Sequence, residues 1–227
     1  MLLTQSKIIV TGGPTREWFD PVRYISNASS GKMGVALADE AYKRSKDTVF
    51  IHGPINENFI MDRPYRCVPV ETTEDLLTAV LAELAEPCVL IMSAAPADYA
   101  PVAKSCEKIK KSDGDFVITM KKTPDILKNV AEVRKSRGLV DIFVAGFAAE
   151  TINTEEYAVG KLKSKSLDMI CLNDVSRPGA GFNTDTNIMT IFTSAGDRIE
   201  LPMQSKKFVA DKILRQIEIG LSQRSRL

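Results

Sequence analysis

Short apolar runs alternate along this chain with segments whose apolar residues recur at helical spacing. Residues 8–13 read as a buried strand ending in a glycine turn, and residues 48–51 and 65–70 read as the next two strands. Residues 34–41 carry Val35, Leu37, Ala38 and Ala41 on one helical face, with Ser29, Ser30 and Gly31 where an N-cap belongs. Residues 73–86 form a strongly amphipathic helix that Thr72 or Thr73 can cap, and residues 88–95 are apolar throughout, as suits a central parallel strand. The pattern continues with a helix over 124–137 that has proline in its first turn, then a strand over 140–145. A helix over 154–166, a strand over 169–173 and a closing helix over 205–221 complete it.

Regular alternation of this kind predicts an α/β fold: a Rossmann-like, doubly wound, mostly parallel sheet with helices on both faces. Residues 116–122 and 188–202 break the rhythm and read as antiparallel β ribbons, the second turning at Ala195, Gly196 and Asp197. No repeat, low-complexity tract or linker divides the chain, so residues 1–227 are expected to form a single domain. Ligands of such sheets sit beyond the carboxyl ends of the strands. That directs attention to Gly12 onward and to residues 93–101, 146–150 and 173–187.

Composition narrows the chemistry. The 227 residues are 44% hydrophobic and 26% charged, as in ordinary globular proteins. Lysine and arginine number 30 against 29 acidic residues, a net charge of +1, too balanced for a general nucleic-acid or membrane-surface binder. Phosphate recognition must then be local. Cys67, Cys88, Cys106 and Cys171 are scattered, which argues against a disulfide framework or paired zinc ligation and for a reducing cytoplasm. His52 is the single histidine, which removes most Ser-His-Asp, Cys-His and zinc-hydrolase mechanisms. The N-terminus has no signal-peptide pattern, and no apolar run is long enough to span a membrane.

Four segments carry candidate chemistry. The glycine turn at Gly12 and the helix start at Ser29, Ser30 and Gly31 would aim backbone N–H groups and a helix dipole at an anion, with Arg16, Arg23, Asn27 and Lys32 nearby; turn glycines and a serine cap are the plain alternative. Ser93, Ala94 and Ala95 would let a base or ribose lie against the backbone, and Asp98 could hold a ribose hydroxyl or Mg²⁺. Lys108, Lys110 and Lys111 are either a solvated run or a cluster that neutralises charge developing at phosphorus. Phe147 is either a base-stacking ring or a core aromatic, with Lys161 and Lys165 a helical turn apart on the following helix. Residues 173–187 are too polar and glycine-rich for a core.

Together these blocks resemble the bacterial-type phosphopantothenoylcysteine synthetases over nearly the whole chain. The wording that carries the resemblance is D-P-V-R-Y-I-S-N-A-S-S-G-K-M-G (20–34), A-D-Y (97–99), K-I-K-K (108–111), P-D-I-L (124–127), G-F-A-A-E-T (146–151) and N-D-V-S (173–176). The resemblance implies a ligase that joins 4'-phosphopantothenate to L-cysteine in coenzyme A biosynthesis, using CTP through an acyl-cytidylate and releasing pyrophosphate and CMP. It implies Mg²⁺ or Mn²⁺, a cytoplasmic homodimer and catalytic roles for Asn27 and Lys108. It also implies nucleotide contacts at Ser93, Ala94, Asp98, Lys108, Pro124, Asp125, Ile126, Leu127, Phe147, Lys161 and Lys165, and substrate contacts at Arg23, Asn27 and Ala95. In bacteria the family is commonly fused behind a flavin-dependent decarboxylase, whereas this chain starts at the synthetase strand; a stand-alone form without flavin is expected. Ala100 and Thr123 depart from the family's usual arginine and asparagine, and both bear on the nucleotide end.

Two competing readings remain. A short-chain dehydrogenase is suggested by Val10-Thr-Gly-Gly13 and by the Tyr157/Lys161 spacing, but Pro14 to Trp18 interrupts the glycine fingerprint and His52-Gly53 stands where an acidic ribose ligand belongs. A non-catalytic nucleotide-binding module would explain the glycine turns but gives no reason for Lys108 together with Asn27.

Overall fold

In the computed structural model of the protein, residues 2–111, 113–174 and 184–224 are described. Their main sheet is built from β1 (Lys7–Gly12), β4 (Thr48–His52), β5 (Arg66–Pro69), β6 (Cys88–Met92), β9 (Ile142–Glu150), β10 (Met169–Asp174), β11 (Thr186–Thr193) and β12 (Arg198–Ser205). Two short ribbons lie outside it, β2 (Glu17–Trp18) with β3 (Tyr24–Ile25) and β7 (Tyr99–Pro101) with β8 (Met120–Lys122). The helices are α1 (Lys32–Arg44), α2 (Thr73–Glu83), α3 (Ile126–Arg137), α4 (Thr154–Ser164) and α5 (Lys206–Arg224).

The sheet order is β12-β11-β10-β9-β6-β1-β4-β5, parallel from β5 through β10 and antiparallel at β11 and β12. Along its parallel part the chain runs outward from β1 in one direction and then restarts at β6 in the other. The crevice at the carboxyl ends of β1 and β6 is therefore the topological switch point, where ligands of such sheets bind.

The pleat divides the core into two layers. Ile8, Val10, Val89, Ile91, Phe143, Ala145, Met169 and Cys171 face α1 and α5. Their strand neighbours Ile9, Leu90, Ile142, Val144, Ile170 and Leu172 face α2, α3 and α4. A fully buried Leu or Ile contributes about 1.5–3 kcal/mol and a helix cap about 1 kcal/mol, so apolar pattern chooses the face of each element and capping chooses its end.

Several ends differ from the sequence reading for local reasons. Pro124 precedes α3 instead of entering it, because Asp125 is the N-cap and accepts from Lys128 N at 3.2 Å. α2 begins with a reciprocal capping box between Thr72 and Asp75. Neither Ser29 nor Ser30 caps α1: the N-cap is Gly31, at φ +76°, with no side-chain cap bond. β6 stops at Met92, and the chain turns so that Ala95 bridges Pro14. β9 runs on through Glu150 because β10 pairs with it as far as Asp174, so Gly146 to Glu150 is strand and not a following loop.

The expected ribbons also take particular partners. Only Met120–Lys122 of the first is strand, and it pairs with Tyr99–Pro101. The second forms a hairpin that extends the main sheet at its β10 edge.

Candidate active site

A cleft of about 760 Å³ opens at the switch point. Its floor is set by contacts between the segments that leave β1 and β6. Ala95 N donates to Gly13 O at 2.9 Å, Ser93 Oγ to Thr11 O at 2.5 Å, and Ala94 N to Thr11 Oγ1 at 3.1 Å. α1 can close on β1 here because neither Gly12 nor Gly34 has a side chain: a Cβ on Gly34 would lie 2.7 Å from the Gly12 Cα. Gly12 thus serves helix–strand contact and does not line the cleft, contrary to the expectation that it meets phosphate.

Beneath the segment after β6 lies a buried polar cluster. Glu17 Oε1 accepts from Thr73 N, Thr73 Oγ1 and Thr15 Oγ1 at 2.9, 2.8 and 3.1 Å. Thr15 Oγ1 in turn accepts from Ala97 N at 3.0 Å, and Thr123 Oγ1 donates to Ala97 O at 2.6 Å. These bonds hold the backbone at Ala97 beside the cleft-lining Asp98. Sequence reading missed the cluster because its members come from four separate segments with no motif among them.

Asn27 stands exposed at the cleft, and its Nδ2 donates to Pro96 O at 2.9 Å and Ala95 O at 3.2 Å. Ser29, Ser30 and Gly31 line the cleft from the α1 end, and Ser93, Ala94, Ala95 and Asp98 from the β6 end. Pro124, Asp125, Ile126 and Leu127 contribute from the start of α3, with Phe147 from β9 and Lys161 and Lys165 from α4. Both lysines are already paired, Lys161 with Glu150 at 2.6 Å and Lys165 with Asp125 at 3.0 Å.

Besides Gly12, two expected site residues, Arg23 and Lys108, do not line the cleft. Arg23 forks onto Asp20 through Nε at 3.0 Å and Nη2 at 2.5 Å, and Nη2 also donates to Ile109 O at 2.9 Å. Asp20 Oδ2 accepts from Ile109 N at 3.2 Å, so the loop carrying the exposed Lys108 is pinned beside the 20–27 arm. The Arg23 guanidinium and backbone N–H donors hold the Asp20 carboxyl well below the usual carboxylate range. Of the segment at 173–187, Val175 to Asn183 lie outside the described residues. Asn173, Asn187 and Lys206 do line the cleft, as does Lys122. Lys206 was not singled out from sequence because it begins a helix remote in the chain from every motif.

Among the described residues no group of three or more His, Cys, Asp or Glu could hold a metal ion. Asp98 offers one carboxylate at the cleft, which fits an ion carried mainly by ligand oxygens. Tyr157 is 49% exposed and does not line the cleft, while Lys161 does. The i, i+4 spacing that suggested a dehydrogenase pair therefore brings only Lys161 to the cleft. No helix among the described residues is long and apolar enough to cross a membrane.

The sheet order, the switch-point cleft and the glycine-tight α1 entry define an α/β protein of dinucleotide-fold type. Residues 3–220 match the family model of the DNA/pantothenate metabolism flavoprotein C-terminal domain, and the chain belongs to that family. Among curated relatives it is 43% identical over 213 residues to the coenzyme A biosynthesis bifunctional protein CoaBC of Bacillus subtilis, covering 92% of this chain and 50% of that one. It is 41% identical over 228 residues to CoaBC of Escherichia coli K12, covering 99% of this chain and 54% of the other. The chain thus spans about half the length of these relatives. A crystal structure of the C-terminal domain of CoaBC is similar with a TM-score of 0.77 and 37% identity, covering 97% of each chain. A Cab2 variant solved in complex with phosphopantothenate-cysteine shares the fold, with a TM-score of 0.73 at 15% identity, covering 99% of this chain and 90% of that one. The family resemblance drawn from the motif blocks is borne out.

Proposed function

We propose that the chain is a phosphopantothenate–cysteine ligase that uses CTP in coenzyme A biosynthesis. The observation that carries the reading is the convergence on one switch-point cleft of Asn27, the 93–98 segment, Pro124–Leu127, Phe147 and the Lys161/Lys165 pair. These segments are distant in sequence, and most of the motif blocks that resemble the synthetases reach this one cleft.

A carboxylate does not condense with an amine unaided, because its oxygen is a poor leaving group. In the proposed first step a phosphopantothenate carboxylate oxygen bonds to the α-phosphorus of CTP, the bond from that phosphorus to the β-phosphate oxygen breaks, and pyrophosphate leaves. In the second, the cysteine amine attacks the acyl carbon, loses a proton and expels CMP. Lys108 offsets the charge that builds as two anions meet, reaching the cleft when the ligand is bound; its loop is anchored at the adjacent Ile109. Asn27 presents a neutral amide to the acyl oxygen. Asp98 would offer a carboxylate to a Mg²⁺ ion brought with the triphosphate, and that ion would supply further positive charge when bound. Arg23 takes a substrate role only from outside the cleft described above.

We place the protein in the cytoplasm as a homodimer, with the two expected ribbons as contact elements. The exposure of Phe116 and Val117 at 53% and 84%, and of Met203 at 53%, supports such a contact.

The test supplies phosphopantothenate, cysteine and Mg²⁺ with either CTP or ATP and follows pyrophosphate. Cysteine-dependent product with CTP is expected. Product with ATP alone would overturn the nucleotide assignment, and no product with either would overturn the ligase.

A further inference from the structure

Asn27 owes its place to a residue twelve positions earlier that does not line the cleft. Ser26, immediately before Asn27, donates through Oγ to Thr15 O at 2.7 Å. Ala97, immediately after the Pro96 whose carbonyl Asn27 holds, donates through N to Thr15 Oγ1 at 3.0 Å. Thr15 thus grips both sides of the Asn27–Pro96 contact, by its backbone on the arm side and by its hydroxyl on the β6 side. It is fully buried.

The setting of that hydroxyl falls to Glu17. A threonine hydroxyl has one hydrogen to give, and a carboxylate only accepts. Glu17, 6% exposed, receives the Thr15 and Thr73 hydroxyls on Oε1 at 3.1 and 2.8 Å. The two hydroxyl oxygens are 3.0 Å apart and would otherwise share a hydrogen between themselves. An acceptor at this point draws both hydrogens toward itself and turns the Thr15 lone pairs to the Ala97 N–H. The same Oε1 accepts from Thr73 N at 2.9 Å, at the first residue of α2, where the helix dipole favours a negative charge. Leu76 and Val80 bury α2 in the core, so the carboxylate is fixed to a rigid element.

We propose that Thr15, oriented by Glu17, is the positioning residue that sets the Asn27 amide: the buried carboxylate fixes the hydroxyl, the hydroxyl fixes Ala97, and the Thr15 carbonyl fixes Ser26. Neither Thr15 nor Glu17 lines the cleft, so both act through Asn27 and its carbonyl partners. The catalytic consequence rests on the ligase reading, in which Asn27 serves the second step; the placement of the amide stands without it.

Glu17→Gln sets an NH₂ donor among donors, and Thr15→Val removes the hydroxyl. Each is expected to slow cysteine-dependent product formation about tenfold or more, the scale of a displaced buried hydrogen bond. The pyrophosphate burst without cysteine and the KM for CTP are expected to stay as in the wild type. Thr15→Ser, which keeps the hydroxyl, should restore most of the loss. In an Asn27→Ala background Glu17→Gln should cost nothing further, because residues that act through one another are not additive. In the isotope-labelled whole chain, the Asn27 side-chain amide resonances should move toward those of a free asparagine amide in both variants. Losses that multiply with that of Asn27→Ala, a burst that falls as far as turnover, or an unmoved Asn27 amide would each overturn the proposal. Should both variants fail to fold, Ser26→Ala removes only a half-buried hydroxyl and takes the same readouts. A wild-type chain that forms no product overturns the ligase reading, while the amide resonances still decide the placement.

Discussion

The side-chain amide of Asn27 is fastened to the carbonyl of Pro96, 2.9 Å away, with Ala95 O the second acceptor at 3.2 Å. The arm that follows β1 is thereby tied to the segment that follows β6, across the point where the sheet reverses its order. The two contacts orient the amide plane before a ligand arrives.

Asn27→Asp would set a carboxylate against two carbonyl oxygens and remove the neutral donor. We expect a stability loss of about 1 kcal/mol, or roughly 2–4 °C in Tm for a chain of this size. We expect one pyrophosphate released per site, an accumulating acyl-cytidylate, and turnover down by about 10²–10³. Quenched-flow sampling with chromatography of the acyl-nucleotide checks this; unimpaired turnover would remove Asn27 from the second step.

Lys108→Gln should act oppositely. Its side chain is exposed, so unfolding stability should stay within about 0.5 kcal/mol of wild type, while pyrophosphate release falls about 10²–10³-fold even without cysteine. A single-turnover burst of normal size would show that Lys108 has another task.

The Asp20–Arg23 clasp predicts an acid-sensitive loop. The folded-state pKa of Asp20 is depressed, so its contribution to stability is present above the ordinary carboxyl value of 3.8 and is lost as pH falls below it. Proteolytic cleavage within residues 104–119 should therefore accelerate below about pH 4 in the wild type. In Asp20→Asn it should already be fast at pH 7 and change less with acid. Equal pH profiles in the two proteins would deny the clasp this role.

Two glycine substitutions separate backbone from side-chain crowding. A Cβ on Gly12 meets Phe50 Cε2 at 2.7 Å and the Gly34 Cα at 3.0 Å, whereas one on Gly34 meets the Gly12 Cα at 2.7 Å. Each Gly→Ala change should cost about 1–3 kcal/mol by denaturant unfolding. Adding Phe50→Leu should recover part of the loss for Gly12→Ala and none for Gly34→Ala, whose obstacle is backbone.

Much of the fold was legible before any coordinates. Short apolar runs alternating with period-3.6 helices are local signals, and Ile8, Ile9, Val10, Leu37 and Val80 are buried as that pattern requires. The same spacing could not locate strand ends set by a partner: β9 continues to Glu150 only because β10 lies beside it. It could not show that the serines before α1 leave the cap to Gly31.

The sequence by itself determined the alternating α/β plan, the choice of carboxyl-end segments and the family, because those depend on pattern and wording within short stretches. Tertiary structure alone decided which of those segments share a cleft. It brought Lys206 and Asn187 from the far end of the chain to the α1 N-terminus, and it turned Arg23 onto Asp20 and away from the cleft. The physical reason is that burial and charge pairing act through space: folding strips the water from a lysine and chooses its partners regardless of their distance along the chain.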